Sequence, residues 1–167
     1  MPFLAFTPRP LTRKTFPPGV PAGLSVVPLP EQRAGRGQAR PRAHRSDARE
    51  QYRSALREVR ERRWDSAYEA LSGFLTVYAD DPLAANATYW RGEVLYAQRR
   101  YGTALQDFEA VLSRFAGSEK AADALLKVGL CHQRLGDGAS AEHYFKLLRE
   151  QFPSSDAARI ASVENPS

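Results

Sequence analysis

The chain has 167 residues, 43% of them hydrophobic and 26% charged, enough for one domain with a core and too few for two. No run approaches the ~18 consecutive apolar residues of a membrane-spanning helix, and a single cysteine excludes a disulfide framework, a cysteine-based zinc site and a CxxC redox pair. The net charge of +5 is unevenly held: residues 1–46 carry eight of the 24 basic residues against one acid, Glu31, which leaves 16 bases and 18 acids in the other 121 residues.

Residues 1–46 also hold nine of the twelve prolines. Proline lacks a backbone donor and pushes its predecessor toward extended conformations, so no helix or central strand is expected there. The arginines between Arg33 and Arg45 add like charge without an apolar period. The segment reads as a disordered Pro/Arg-rich tail. It makes a poor export signal: Arg13 and Lys14 precede a mildly apolar run, Gly19 to Pro30, but prolines interrupt that run. A start assigned upstream of the true one explains the tail equally well.

From Asp47 the apolar residues recur at helical spacing, and the sequence repeats itself at an offset of 37 residues. Ala67, Ala104 and Ala141 align. Twelve residues before each stands a small residue: Ala55, Gly92, Gly129. Large apolar residues follow at +4 (Leu71, Phe108, Phe145), +7 (Phe74, Val111, Leu148) and +11 (Tyr78, Phe115, Phe152). Each unit reads as two antiparallel helices, A and B, broken at Arg62–Asp65, Arg99–Gly102 and Leu135–Gly138. The paired small residues permit a close approach of the helix axes. The large ones share one stripe of helix B, which is expected to cover the next repeat, since such units stack into a superhelix.

The expected domain spans 47–163, with repeats at about 48–81, 82–118 and 119–154 and a capping helix at 155–162. Asp81 followed by Pro82 is a good helix start. Ser118 is expected to cap the next A helix, with Glu119 near its positive end. Gly136 and Asp137 close the third A helix. Ser154 or Ser155 starts the final short helix, which covers the last exposed face.

The small–Ala–aromatic spacing, with Pro153 at the motif's terminal position, resembles the tetratricopeptide repeat. The resemblance implies an all-α, right-handed superhelix of three tetratricopeptide-type helix hairpins plus a short C-terminal capping helix. The phrases from Asp81 to Gln98 and from Ala124 to Cys131 are similar to the C-terminal domain of the Tol-Pal system periplasmic cell division coordinator. That likeness covers about Glu50 to Ala161. It implies a periplasmic adaptor joining the Tol-Pal machinery and cell-wall synthesis during division, although residues 1–46 hold no convincing signal peptide.

The residues offer little chemistry. His44 lies in the tail, and His132 and His143 occupy different helices with no carboxylate at metal spacing. Cys131 and His132 are sequence neighbours, so on a helix they diverge by about 100° and form no direct nucleophile–base pair. Cys131 reads as a buried core residue. Glu58, Glu61, Asp65 and Glu69 alternate with arginines, as on a solvated helix face. No catalytic residue, cofactor or metal site is expected.

What remains is surface. In tetratricopeptide arrays the A helices line the concave groove, so the resemblance places Tyr52, Arg53, Asn86, Tyr89, Trp90, Glu93, Tyr96, Asp123 and Lys127 there. Tyrosine and tryptophan supply contact area with a polar tip; packing between A helices is the competing role. A peptide or helix of a protein partner is the expected ligand. The alternatives are a general tetratricopeptide adaptor in the cytoplasm and anionic-polymer binding through the basic tail. The acidic balance of the body, and the lack of aromatics among the arginines of 33–45, argue against nucleic acid.

Overall fold

The computed structural model describes residues 42–164, and these form helices only. Seven are present: α1 (Arg42–Arg60), α2 (Trp64–Val77), α3 (Ala84–Ala97), α4 (Tyr101–Arg114), α5 (Ala121–Arg134), α6 (Gly138–Gln151) and α7 (Asp156–Glu164). The expectation of a disordered tail falls, for residues 1–41, outside the described residues. The first helix begins at Arg42, ahead of the expected boundary at Asp47. Successive helices pack as antiparallel neighbours, α1 on α2, α2 on α3 and so on to α6, with α7 lying against α5 and α6. This is a superhelical stack of three hairpins with a terminal cap.

The three hairpin turns are built alike. Each A helix ends in a residue with positive φ: Arg62 (56°), Arg99 (60°) and Gly136 (85°). The next amide bonds back five residues: Arg63 N–H to the Glu58 carbonyl (3.0 Å), Arg100 to Leu95 (2.9 Å), Asp137 to His132 (2.9 Å). This left-handed cap satisfies carbonyls that the helix end would otherwise orphan. Glycine adopts it freely, whereas an arginine there costs about 1–2 kcal/mol. In the first turn a side-chain pair adds to it, Arg63 Nε donating to Glu58 at 2.7 Å. In the third the same two positions hold His132 and Asp137, with His132 Nδ1 at 3.3 Å from the carboxylate.

Helix starts differ from the sequence expectation in two places. Asp81 does accept the Leu83 amide at 2.9 Å, but it braces a turn, and α3 begins at Ala84. Ser118 does not cap α5, which begins three residues later at Ala121; the Ser118 hydroxyl is buried without a partner. Two other starts carry true caps. Asp137 accepts the Ser140 amide at 3.0 Å, and Ser155 Oγ accepts the Ala158 amide at 3.1 Å. α7 then lays Ala157, Ala158 and Ala161 against the stack, leaving Ile160 and Val163 outside.

Ala67 and Ala104 are wholly buried and Ala141 nearly so. Gly92 and Gly129 have a more specific reason to lack a side chain. A Cβ on Gly92 would meet Phe108 Cε1 at 2.8 Å, and one on Gly129 would collide with Phe145. The aromatic at +4 therefore seats its ring on the glycine of its own hairpin. This corrects the expectation that the B-helix stripe covers only the next repeat. The first hairpin pairs smaller Leu71 with larger Ala55 at the same two positions. Tyr78 is buried at +11, while Phe115 and Phe152 are only half-buried.

The buried residues form two clusters. One gathers the first hairpin with Ala87 and Val94 of α3. The other runs from Tyr89 through the second and third hairpins to Ala161. Tyr68 and Trp90 pack against both.

Candidate functional site

The odd-numbered helices α1, α3 and α5 line one face of the stack. Residues one helical turn apart on each project along it, because i, i+3 and i+4 share a face. The structure joins most of the predicted groove residues into two ladders that run across the helices.

The first ladder starts at Tyr52, half-buried, with its ring 5.8 Å from Phe74. Tyr52 and Trp90 both pack on the first-hairpin cluster, and burial raises the Tyr52 phenol's pKa. Trp90 in turn stands edge-on to Tyr89, centroids 6.0 Å apart. Tyr89 is 7% exposed. Its ring leans on Phe108 at 5.6 Å and carries Lys120 Nζ above it at 4.8 Å. Burial, with the charges of Glu93 and Asp123, pushes its phenol far up, so it stays protonated. Lys120 also pairs with Asp123 at 2.9 Å. Tyr89 is thus a core residue as much as a lining one, and a partner would meet Lys120 in front of it.

The second ladder is charged. Lys127 Nζ lies 2.8 Å from Glu93 on the preceding A helix and 5.0 Å from the Tyr96 ring centroid. Arg134 Nε donates to the Tyr96 hydroxyl at 3.3 Å, and Tyr96 stands edge-on to Tyr101 at 5.1 Å. Glu93, Tyr96 and Lys127 are each half-buried, and Glu93 Oε1 is itself shut off from solvent. Asn86 and Asp123 occupy equivalent half-buried positions.

Arg53 stands apart. It shares its register with Trp90 and Lys127, which reach back to the preceding A helix, but α1 has no such helix before it among the described residues, and Arg53 is exposed. Sequence reasoning missed Lys120, Tyr101 and Arg134. Their register equivalents are Leu83, Trp64 and Ala97, so the repeat carried no signal for the two cations.

The remaining reactive groups are placed for structure. Cys131 is fully buried, and that burial pushes its thiol up to about 12. His132 stacks on Tyr144 with ring centroids 5.4 Å apart. The Asp137 carboxylate lies 3.3 Å from its Nδ1, and no third acid, cysteine or histidine completes a metal cluster among the described residues. No helix among them is long and apolar enough to cross a membrane.

Comparison with known proteins gives a consistent picture of the fold. Two family models, both described as tetratricopeptide repeat, match residues 42–119 and 123–155. The TPR domain of Arabidopsis FLU is similar over 66% of this chain and 98% of its own, with a TM-score of 0.58 at 16% identity. The N-terminal domain of stress-induced protein-1 (STI-1) from C. elegans is similar over 71% of this chain and 94% of its own, with a TM-score of 0.60 at 13% identity. The TPR2AB domain of yeast Sti1, solved as a complex with pHSP90, is similar over 71% of this chain and 47% of its own, with a TM-score of 0.59 at 17% identity. The curated proteins give no significant match. The matched segments take in nearly all the described residues, and the chain belongs to the tetratricopeptide repeat family.

Proposed function

We propose that this chain is a non-enzymatic scaffold that captures a segment of a partner protein along the face of α1, α3 and α5. The observation that carries this reading is the second ladder. Glu93, Lys127 and Tyr96 form a half-buried, mutually oriented set of one acceptor, one cation and one aromatic on adjacent A helices. Held charges of this kind orient a polar ligand, and neighbouring aromatic surface supplies contact area. That the yeast Sti1 domain of like fold was solved with a partner fits this use of the face.

The finer reading is a periplasmic, Tol-Pal-associated adaptor that coordinates envelope constriction during division. It rests on the wording of Asp81 to Gln98 and Ala124 to Cys131. Two experiments test it. Purified chain should capture Tol-Pal components, and a Glu93→Ala/Lys127→Ala variant of unchanged helicity should lose that capture; undiminished capture would remove the face from the mechanism. Cell fractionation with N-terminal sequencing should recover the chain from the periplasm. A cytoplasmic chain still beginning at Met1 would overturn the envelope assignment and leave a general tetratricopeptide adaptor.

A further inference from the structure

The even-numbered helices carry a second feature. A cleft of about 380 Å³ opens between α2 and α4, with α3 as its floor. Its polar lining includes Ser72, Thr88, Arg91 and Arg114, and its apolar lining includes Leu75 and Phe115. The repeat supplies an internal control. The residues 37 positions later, at the junction of α4 and α6, include Leu125 for Thr88, Val128 for Arg91, Leu147 for Ala110 and Tyr144 for Asp107. Leu125, Val128 and Leu147 are buried, so that junction is sealed with apolar side chains.

The first junction keeps an ion pair instead. Arg91 grips Asp107 with two bonds, Nε to Oδ2 at 2.9 Å and Nη2 to Oδ1 at 2.6 Å. A buried pair of this kind is weak support for stability and is often replaced by apolar residues without loss. The second junction shows that this fold accepts such a replacement. Arginine has five donors, and these two bonds leave Arg91 with hydrogens to spare at the floor of the cleft. Ser72 Oγ is buried there with no hydrogen-bond partner. Arg114 lies over the Phe115 ring at 5.4 Å and forms no ion pair among the described residues. Two arginines and a buried, unbonded hydroxyl thus converge on the cleft, and no carboxylate is among its lining residues.

We propose that this cleft is a second recognition site, which takes a carboxylate side chain and an adjoining apolar residue from a partner protein. Arg114 and Ser72 would bind the carboxylate above Arg91, with Leu75 and Phe115 against the apolar neighbour. A peptide segment fits better than a free anion because the cleft continues. A second hollow of about 600 Å³ shares Arg114 and Phe115 and leads past Asp80, Asp81 and Ser118. Its two acids suit a neutral or basic residue next along the segment. This site lies on other helices than the groove and does not depend on the groove's function.

The test is an NMR titration of the full chain, ¹⁵N-labelled, at low salt. The probe is a short N-acetylated, C-amidated peptide with a single glutamate, flanked by leucine and followed by lysine. Amide shifts are expected at residues 72–79, 88–91 and 110–118, leaving 52–53 and 123–127 on the groove face unmoved. Arg114 is exposed, so Arg114→Gln leaves the fold intact and should weaken binding about tenfold, the loss of one charge-assisted contact. The glutamine analogue of the peptide should lose as much. A chain carrying Arg91→Val and Asp107→Tyr, the residues of the second junction, should remain helical and lose the shifts. Shifts confined to the groove, equal binding by Arg114→Gln, or equal shifts from acetate alone would each overturn the proposal.

Discussion

Gly92 and Phe108 form a matched pair whose coupling can be measured. Gly92→Ala places a methyl 2.8 Å from Phe108 Cε1, well inside van der Waals contact. The ring has no room to yield, because Phe108 is 0% exposed. Overpacking of this kind costs about 1–3 kcal/mol. Against it stands the helix preference for alanine over glycine, about 1 kcal/mol. The clash wins on balance, and the single substitution should destabilise by about 1 kcal/mol. Phe108→Leu alone should also destabilise, since it removes ring atoms over a glycine and leaves a void. Together the two changes recreate the Ala55–Leu71 pair of the first hairpin. The double variant should therefore be more stable than the sum of the singles, by about 1–2 kcal/mol of coupling. Urea denaturation followed by circular dichroism measures all four chains, with the midpoint as readout and an unchanged slope as the condition for comparing them. Additive losses, or a Gly92→Ala chain more stable than the parent, would refute the account.

Other consequences follow from the turns and the buried groups. Arg62→Gly and Arg99→Gly relieve a left-handed arginine at the expense of chain entropy, and each should stabilise by about 0.5 kcal/mol, while Gly136→Ala should destabilise by about 1 kcal/mol; thermal midpoints check both signs. Cys131, buried with its thiol raised to about 12, should react with a disulfide reagent at pH 8 only as fast as the chain opens and at once in urea; fast labelling of native protein would contradict its burial. The Asp137 carboxyl is held below its ordinary value by the Ser140 hydroxyl and amide, with His132 adding to this. A depressed acid contributes stability that is whole above its unfolded value, near pH 4, and fades as pH falls through the folded one. Asp137→Asn should flatten that part of the acid profile, and an unchanged profile would remove the cap from the acid response.

Much of the architecture was written in the 37-residue offset. Ala67, Ala104 and Ala141 mark it, and the three hairpin breaks fall where the offset places them. What resisted reading was local. Nothing in an arginine side chain announces positive φ, so Arg62 and Arg99 looked like ordinary helix ends where Gly136 did not. Ser118 has the chemistry of a cap, but the α5 helix starts after Lys120 and leaves that hydroxyl buried. The spacing of Gly92 and Phe108 was visible, yet their contact inside one hairpin was not, because a size pattern does not say which neighbour a ring chooses. On the groove face, helical spacing grouped Trp90, Glu93 and Lys127. It had no means of pairing Lys127 with Glu93 across 34 residues, or of sinking Tyr89 into the core. The polar first junction was legible by the same offset, at Thr88 against Leu125 and Arg91 against Val128, once charged positions are compared as closely as apolar ones.

The two buried clusters, meeting at Tyr68 and Trp90, bear on how the chain comes apart. A linear stack has only nearest-neighbour interfaces, so it opens from its ends inward, and its weakest seam sets where opening halts. Here the seam between the first two hairpins opens into a polar cleft, whereas the next is closed by leucine and valine. The first hairpin can therefore detach as a cooperative piece while the remainder holds, and amide protection should rise in a step between α2 and α3 rather than gradually along the stack. Such a step would make Trp90, whose indole spans the seam, an intrinsic fluorescent reporter of that partial opening.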